Sequence, residues 1–257
     1  MSLVILADIG GTNTRVALAE GTALLVDSIR RYPNADYQAR GQDIAHVLGD
    51  YLSQTGASVS GVCVAAAGPV QDGVATMTNL AWVIDGAKLS QATGAARVAI
   101  LNDLQAQGQA LDHIPAEKLR QVLDGPRRKG ASKLVVGLGT GVNAAPAHPG
   151  RSGLLVPPSE CGHVNMPVRT DEDFRLLRFM EARLRRVGDA PHAGVEELLA
   201  GRGLANLHAF AAEEAGAPAL ASSAEVLAAL DRGDPVASHA ARLYVHTLGQ
   251  MLADQAL

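Results

Sequence analysis

Aromatic side chains and cysteines are scarce in this 257-residue chain. Phe, Trp and Tyr together make up 3% of the residues, and there are two cysteines. So few aromatic side chains argue against a nucleic-acid binder that stacks bases, and the formal net charge of −4 argues against binding to phosphate backbones. Cys63 and Cys161 are too few for a disulfide framework or a cysteine-based zinc site. We expect both to be reduced thiols.

Long apolar runs and an export signal are also lacking. No apolar run approaches the roughly eighteen residues of a membrane-spanning helix, and Met1-Ser2 leads directly into an apolar segment without a basic region. We therefore expect a soluble, cytoplasmic protein with no membrane partner. The length allows one large domain or two small ones.

Two common nucleotide-binding motifs are missing. There is no Walker A motif, which excludes the P-loop kinases. The glycines of residues 137–141 do not have the dinucleotide-binding spacing, and Pro146 and Pro149 prevent the helix that would have to follow them. What remains is a strand followed by a glycine turn, which we interpret as a phosphate-binding hairpin at Gly139-Thr140-Gly141.

A similar strand and glycine turn opens the chain. Residues 3–7 are apolar, suit a buried strand, and run into Asp8 and the turn Gly10-Gly11-Thr12-Asn13. Successive N–H groups in such a turn can bind an anion, and the glycines allow positive φ. A carboxylate beside a phosphate requires a cation between them, so Asp8 implies Mg²⁺ held through water. A hairpin turn without function is the alternative.

An Asn-Asp pair follows another apolar strand. The strand over residues 97–101 runs into Asn102 and Asp103, which precede a helical segment over 104–111. Open α/β sheets bind their ligands beyond the carboxyl ends of the strands. Asp103 therefore has two interpretations, an N-cap of the helix or a general base, and these residues alone do not decide between them.

Two later segments carry paired titratable groups. Glu160 and His163 lie in a loop bordered by prolines and could bind adjacent sugar hydroxyls, although a hydrogen bond between the two is the alternative. Glu196 begins a short helix that ends at Gly201, with Glu197 beside it.

Periodicity and turn residues predict the remaining elements. In the first half they predict a third strand over 23–32, a helix around 44–52, a strand over 60–66, a hairpin at Asp72-Gly73 and a helix capped by Asp85. In the second half, helices begin at Asp171. Their apolar stripes are predicted at Phe174, Leu177, Met180 and Leu184, and at Val236, Ala240, Tyr244, Leu248 and Leu252 in a last helix over about 234–257.

Taken in order, these motifs resemble the bacterial glucokinases of the hexokinase, actin and Hsp70 ATPase superfamily. The resemblance covers nearly the whole chain and is carried by Asp8-Ile-Gly-Gly-Thr-Asn13, Thr78-Asn79-Leu-Ala-Trp82, Leu101-Asn-Asp103, Gly139-Thr-Gly141, Glu160-x-Gly-His163 and Glu196-x-Leu-Leu-Ala-Gly201. It implies an α/β chain with the two-lobed actin-like ATPase (ribonuclease H-like) fold, in which mixed five-stranded sheets are flanked by helices and a cleft separates the lobes. The smaller lobe would comprise residues 1–102 and the larger lobe residues 103–257.

The same resemblance implies a function and its residues. The reaction would be phosphorylation of the 6-hydroxyl of D-glucose, with ATP and Mg²⁺ as cofactors, Asp103 as general base and a homodimer as the assembly. The implied sugar ligands are Asn79, Asn102, Asp103, Glu160, His163 and Glu196. The implied phosphate-binding residues are Ala7, Asp8, Ile9, Gly10, Gly11, Thr12, Asn13, Gly139, Thr140 and Gly141, with Asp8 also serving Mg²⁺. A non-catalytic sugar-binding or regulatory protein, and a kinase for another hexose or an amino sugar, are the alternatives.

The chain departs from the family pattern at three points. Cys161 stands where many relatives have glycine, which should be tolerated if φ is negative there. Asn143 stands where a small residue is usual, which bears on the geometry of the second glycine turn. Relatives continue after the last helix into a strand and a glycine-rich loop that receives adenosine, so we expect this chain by itself to bind ATP weakly.

Overall fold

A computed structural model describes residues 2–77, 80–126, 128–151 and 153–256. The chain divides into two compact units, Met1–Ile114 and Pro115–Leu257. The boundary predicted at Asn102 lies inside the first of these units, because the helix that follows Asn102 packs against strands of the first unit.

The first unit is an α/β unit. Its elements in chain order are β1 (Leu3–Ile9), β2 (Asn13–Glu20), β3 (Ala23–Pro33), α1 (Asn34–Gln38), α2 (Ile44–Thr55), β4 (Val59–Ala66), β5 (Val70–Gln71), β6 (Val74–Thr76), β7 (Val83–Asp85), α3 (Gly86–Thr93), β8 (Arg97–Asn102) and α4 (Asp103–Ala110). Short 3-10 turns follow at Leu111–His113 and, in the second unit, at Ala116–Lys118.

A mixed five-stranded sheet with the order β3-β2-β1-β4-β8 forms the centre of the first unit. The hairpin strands β1, β2 and β3 are antiparallel, whereas β4 and β8 run parallel to β1. Helix α2 buries Ile44, Val47, Leu48 and Tyr51 in the core of this unit. A capping box formed by Asp43 and His46 begins this helix, and Gly56 ends it with φ of 64°.

The predicted hairpin at Asp72-Gly73 is confirmed. It joins β5 to β6 in a small three-stranded antiparallel sheet with β7. Both turn residues have positive φ, 51° at Asp72 and 76° at Gly73, which is the backbone that a two-residue hairpin requires. Asp85 caps α3 by accepting hydrogen bonds from the N–H groups of Ala87 and Lys88, also as predicted.

The second unit combines a small sheet with a larger set of helices. Its elements are β9 (Lys133–Leu138), β10 (Val142–Gly150), β11 (Gly153–Leu155), a 3-10 turn at Cys161–His163, α5 (Asp171–Val187), α6 (Val195–Leu199), α7 (Gly203–Ala215), α8 (Ser223–Asp231) and α9 (Pro235–Gln255). Within the described part of the chain its sheet is antiparallel, with the order β11-β10-β9. The mixed five-stranded sheet expected for this half is therefore wrong for the described residues.

The predicted stripes of α5 and α9 need correction. In α5 the buried apolar residues are Leu176, Met180 and Leu184, spaced four apart, whereas Phe174 is 55% exposed. In α9 the buried residues are Ala237, Ala240, Leu243, Thr247, Gln250 and Met251. Ala240 is therefore confirmed, Tyr244 and Leu248 are partly buried against the same core, and Leu252 is exposed. Both helices were placed correctly, but their rotation about the helix axis is set by neighbouring helices that periodicity does not report. Among the described residues, no helix is long and apolar enough to cross a membrane.

Candidate active site

The register of three parallel strands brings two carboxylates to one edge of the first sheet. Ile9 at the end of β1 lies opposite Ala66 of β4, and Ala66 lies opposite Asn102 of β8. Asp8 therefore lies near the carboxyl end of its strand, and Asp103 follows directly after the end of its own. The electrostatic influence of Asp8 on Asp103 is consistent with this placement. The edge is the one at which open α/β sheets bind ligands.

Asn34 holds the first glycine turn in place from outside the motif. The Gly10 N–H donates to the Asn13 carbonyl at 3.0 Å, and the Asn34 side-chain amide donates to the Gly10 carbonyl at 2.8 Å. The Asn34 N–H donates to the Thr12 carbonyl at 2.9 Å, and the Thr14 hydroxyl donates to Asn34 Oδ1 at 2.8 Å. Asn34 is 1% exposed. The turn is therefore pre-organised by a buried side chain that the sequence analysis missed.

Gly10 does not have the positive φ that was expected in the first glycine turn, and Gly139 and Gly141 do not have positive φ either. At Gly10 an added Cβ would lie 3.4 Å from the Asn13 carbonyl oxygen, in ordinary contact. At Gly141 it would lie 2.9 Å from Glu196 Oε2. Space for a neighbouring carboxylate, and not left-handed backbone, is thus what Gly141 provides.

Arg15 is a second residue that the sequence analysis missed. Asp8 lies opposite Arg15 in the β1–β2 register, and Arg15 Nη1 donates to Asp8 Oδ2 at 3.2 Å. Both side chains are more than half exposed. The cross-strand register of a two-strand motif was the signal that could have found this residue.

The donor set at Asp8 fits a magnesium ion held mainly by other oxygens. Among the described residues, no group of three or more His, Cys, Asp or Glu side chains could hold a metal. Mg²⁺ usually keeps several waters and binds one or two carboxylates together with substrate phosphates. A single carboxylate beside a glycine turn that is predicted to bind phosphate matches that mode.

Asn102, and not Asp103, caps helix α4. Asn102 Oδ1 accepts hydrogen bonds from the N–H groups of Leu104, at 2.8 Å, and Gln105, at 3.3 Å. The Gln105 side chain accepts from the Asn102 N–H at 3.0 Å, which completes a capping box. The Asn102 amide donates to the Gly68 carbonyl at 3.4 Å, and the residue is 3% exposed. The structure therefore excludes the interpretation of Asp103 as the N-cap of α4.

Burial raises the pKa of Asp103, and the like charge of Asp8 raises it further. The hydrogen bond from the Leu104 N–H to Asp103 Oδ1, at 2.8 Å, acts in the opposite direction. A carboxylate with a raised pKa at a strand end is a better proton acceptor than an exposed one. A half-buried carboxylate of this kind at a strand end can accept a proton from a ligand.

Ala7 and Ile9 belong to the core of the first unit. Their side chains are buried, and their backbones are paired with β2 on one side and β4 on the other. Any phosphate contact predicted for these two residues would have to come from the backbone. Asn79, the remaining predicted sugar ligand of this unit, lies outside the described residues.

The second glycine turn is the β9–β10 hairpin. The Gly139 N–H donates to the Gly141 carbonyl at 2.9 Å, and the Gly201 N–H donates to the Gly139 carbonyl at 2.7 Å. Glu196 Oε2 accepts from the Val142 N–H at 3.1 Å. Helix α6 and the loop that follows it therefore hold the hairpin at both ends. Thr140, at the tip, is exposed.

Glu160 and His163 flank the 3-10 turn and are both exposed. Asn143 braces their loop, because its Oδ1 accepts from the Cys161 N–H at 3.0 Å and its amide donates to Glu160 Oε2 at 3.4 Å. Asn143, which was expected to affect the geometry of the second glycine turn, thus supports the loop that carries Glu160. The φ of Cys161 is not positive, so a side chain is tolerated there.

The structure separates the roles of Glu196 and Glu197. Glu196 contacts the Val142 N–H and lies over Gly141 and Gly162, whereas both carboxylate oxygens of Glu197 accept from Arg202. A carboxylate can accept about four hydrogen bonds, so Glu196 retains capacity for ligand hydroxyls. The sugar contact expected of Glu196, and not of its neighbour, stays a prediction.

An apolar cavity of about 670 Å³ adjoins the second glycine turn. Of the residues that line it, only Thr140, Ser223 and Tyr244 have polar groups in their side chains. The cavity suits an apolar or aromatic group and offers a phosphate no cationic side chain.

The fold of this chain is similar to that of a solved glucokinase. A crystal structure of glucokinase from an Antarctic psychrotroph superposes with a TM-score of 0.83 at 26% identity, over 100% of this chain and 79% of that one. The expected actin-like ATPase fold is confirmed by this likeness.

The family follows from sequence comparison. A family model described as glucokinase matches residues 5–257. The glucokinases of Chromohalobacter salexigens and Marinobacter nauticus are 32% and 33% identical, each over 98% of this chain and 77% of their own length. The chain belongs to the glucokinase family.

Because Asn102 caps α4 and Asp103 does not, substitutions at these two residues should change the free energy of unfolding differently. Asn102→Ala should lower the free energy of unfolding by about 1 kcal/mol, because α4 loses its N-cap. Asp103→Asn should not lower it at pH 7. The raised pKa of Asp103 means that the folded protein favours the protonated carboxyl over the carboxylate. The stability that the protonated carboxyl contributes is therefore lost as pH rises through that pKa. An amide does not titrate, so the variant avoids this loss. Urea unfolding of both variants measures the difference, and an equal loss in the two would contradict the assignment of the cap.

Proposed function

We propose that the protein transfers the γ-phosphoryl group of ATP to the 6-hydroxyl of D-glucose. Membership of the glucokinase family supports the reaction and the substrate. The proposal depends mainly on the environment of Asp103. This carboxylate is half-buried, has a raised pKa, is not the N-cap of α4 and lies at the same sheet edge as Asp8.

The proposed chemistry is an in-line displacement. The oxygen of the sugar 6-hydroxyl attacks the γ-phosphorus of ATP, its proton passes to the Asp103 carboxylate, and the bond between the γ-phosphorus and the leaving oxygen of ADP breaks. The N–H groups of the first glycine turn stabilise negative charge on phosphate oxygens. Arg15, which is hydrogen bonded to Asp8, adds positive charge at that turn.

We further propose that Asp8 holds Mg²⁺ through water. When bound, the metal would offset the repulsion between this carboxylate and the phosphates of ATP. The Gly139-Thr140-Gly141 turn is the proposed second phosphate contact.

Sugar recognition is assigned to carboxylate, imidazole and amide groups. Glu160, His163 and Glu196 are the proposed hydroxyl ligands among residues of the second unit, and Asn79 is the one proposed in the first. Asn102 Oδ1 is engaged in capping, so its remaining contribution is a fixed position for Asp103. Sites of this kind reject analogues that lack one hydroxyl, because a buried polar group then stays unpaired.

Asp103→Asn should lower kcat by about 10²- to 10⁴-fold while glucose binding is largely kept, because the amide still accepts a hydrogen bond but cannot take a proton. In the unaltered protein, kcat should fall as pH drops through the raised pKa of Asp103. That acidic limb should lie above the ordinary Asp value of about 3.9 and disappear in the variant. A coupled assay across pH measures both effects.

Asp85→Asn is the matched control, because Asp85 also stands between a strand and a helix of the same unit and an asparagine caps equally well. It should keep normal turnover. Normal turnover in Asp103→Asn as well would remove Asp103 as the base.

Glu160→Gln and His163→Ala should each weaken glucose binding by about tenfold or more, because hydrogen bonds to charged groups are lost, and should change ATP binding little. Calorimetry with glucose alone and with ATP alone measures the two affinities. His148→Ala, at an exposed histidine of β10, is the control and should change neither. Equal losses for glucose and ATP in the two site variants would count against their assignment to the sugar.

A further inference from the structure

Arg202 connects α6 to the second glycine turn through one side chain. Its Nε donates to Glu197 Oε2 at 3.0 Å, and its Nη2 donates to Glu196 Oε1 at 3.2 Å and also to Glu197 Oε1. Its Nη1 donates to the Thr140 carbonyl at 3.5 Å. The guanidinium therefore contacts α6 and the tip of the second glycine turn together.

The Glu196 carboxylate is held from two sides. Arg202 binds Oε1, and the Val142 N–H binds Oε2 at 3.1 Å. An added Cβ at Gly141 or Gly162 would lie 2.9 or 3.3 Å from Oε2, so the carboxylate occupies space left by two glycines of the motifs. Without the guanidinium, one oxygen would lose its charged partner and the side chain could turn out of this space.

Charge gives a second reason for the arrangement. Glu196 and Glu197 are adjacent carboxylates on a five-residue helix, and Arg202 offsets the repulsion between them. The hydrogen bond to Glu197 in particular raises the pKa of Arg202. A planar guanidinium can serve two carboxylates and a carbonyl at once, whereas an ammonium acts as a point charge.

We propose that Arg202 is a positioning residue that fixes the Glu196 carboxylate against the second glycine turn in the orientation that binds the sugar. The sugar contact of Glu196 rests on the proposed function. Arg202 itself touches neither the sugar nor the reacting atoms in this proposal, and it acts through Glu196.

The kinetic test replaces Arg202 with methionine, which keeps an unbranched apolar stem but removes every donor. kcat/KM for glucose should fall by about tenfold to a hundredfold, mainly through a higher KM for glucose, because a displaced ligand costs that much. Arg175→Met is the matched control. Arg175 donates to Glu214 at 2.6 Å, and its side chain is 54% exposed against 46% for Arg202, but it lies on α5 away from the glycine turn. The control should leave both constants unchanged, and an unchanged KM for glucose in Arg202→Met would overturn the inference.

A double-mutant cycle tests whether Arg202 acts through Glu196. If it does, Arg202→Met should cost little further activity in a Glu196→Gln background, whereas additive losses would contradict the inference. Glu197→Gln keeps the fold of α6 and weakens the hold on Arg202, so it should raise the KM for glucose in the same direction by a smaller factor. This variant carries the test if Arg202→Met does not fold.

Hydrogen exchange separates this inference from the proposed function. Without substrate, Arg202→Met should speed amide exchange in the peptide over 139–143, because the Val142 N–H loses a fixed acceptor. If the unaltered protein does not phosphorylate glucose, the proposed function fails, and faster exchange in this peptide still supports Arg202 as the residue that positions Glu196. Equal exchange in both proteins overturns it.

Discussion

The parallel register of β1, β4 and β8 is the constraint on which the first unit's candidate site depends. It aligns Ile9, Ala66 and Asn102 across the sheet, so that Asp8 and Asp103 reach the same edge although they are far apart in sequence. A shift of register by one residue would turn the side chains of a strand to the other face and separate these groups. Apolar side chains buried in the core of this unit fix the register, and the site is a consequence of that packing.

Two helix beginnings then set the chemistry. At α4, Asn102 takes the capping role and leaves Asp103 with a raised pKa. At α6, which lacks a side-chain cap, the first-turn Glu196 accepts from the Val142 N–H and from Arg202, and its neighbour Glu197 is bound by Arg202 through both carboxylate oxygens. In both places two adjacent polar residues differ in their contacts, and the proposed ligand role falls to the one with acceptor capacity left.

Local sequence signals were enough for much of this account. Apolar runs, the Asp72-Gly73 turn and the Asp85 cap predicted their elements correctly, and six short motifs in order predicted the family. Sequence did not show Asn34, because it reaches the first turn from 24 residues away, nor Arg202, because its three partners meet only in the folded unit. The rotation of α5 was missed for the same reason, since packing against neighbouring helices decides which face is buried.

Direct identification of the product tests the central claim, which is transfer of a phosphoryl group to a hexose. The protein would be incubated with ATP, Mg²⁺ and glucose labelled at carbon 6, and the mixture followed by phosphorus and carbon NMR. We expect ADP and a phosphate ester at carbon 6 to form in equal amounts, and the ester to be absent when glucose is replaced by its 6-deoxy analogue. Release of inorganic phosphate without a sugar ester, or binding of glucose with no turnover, would contradict the account.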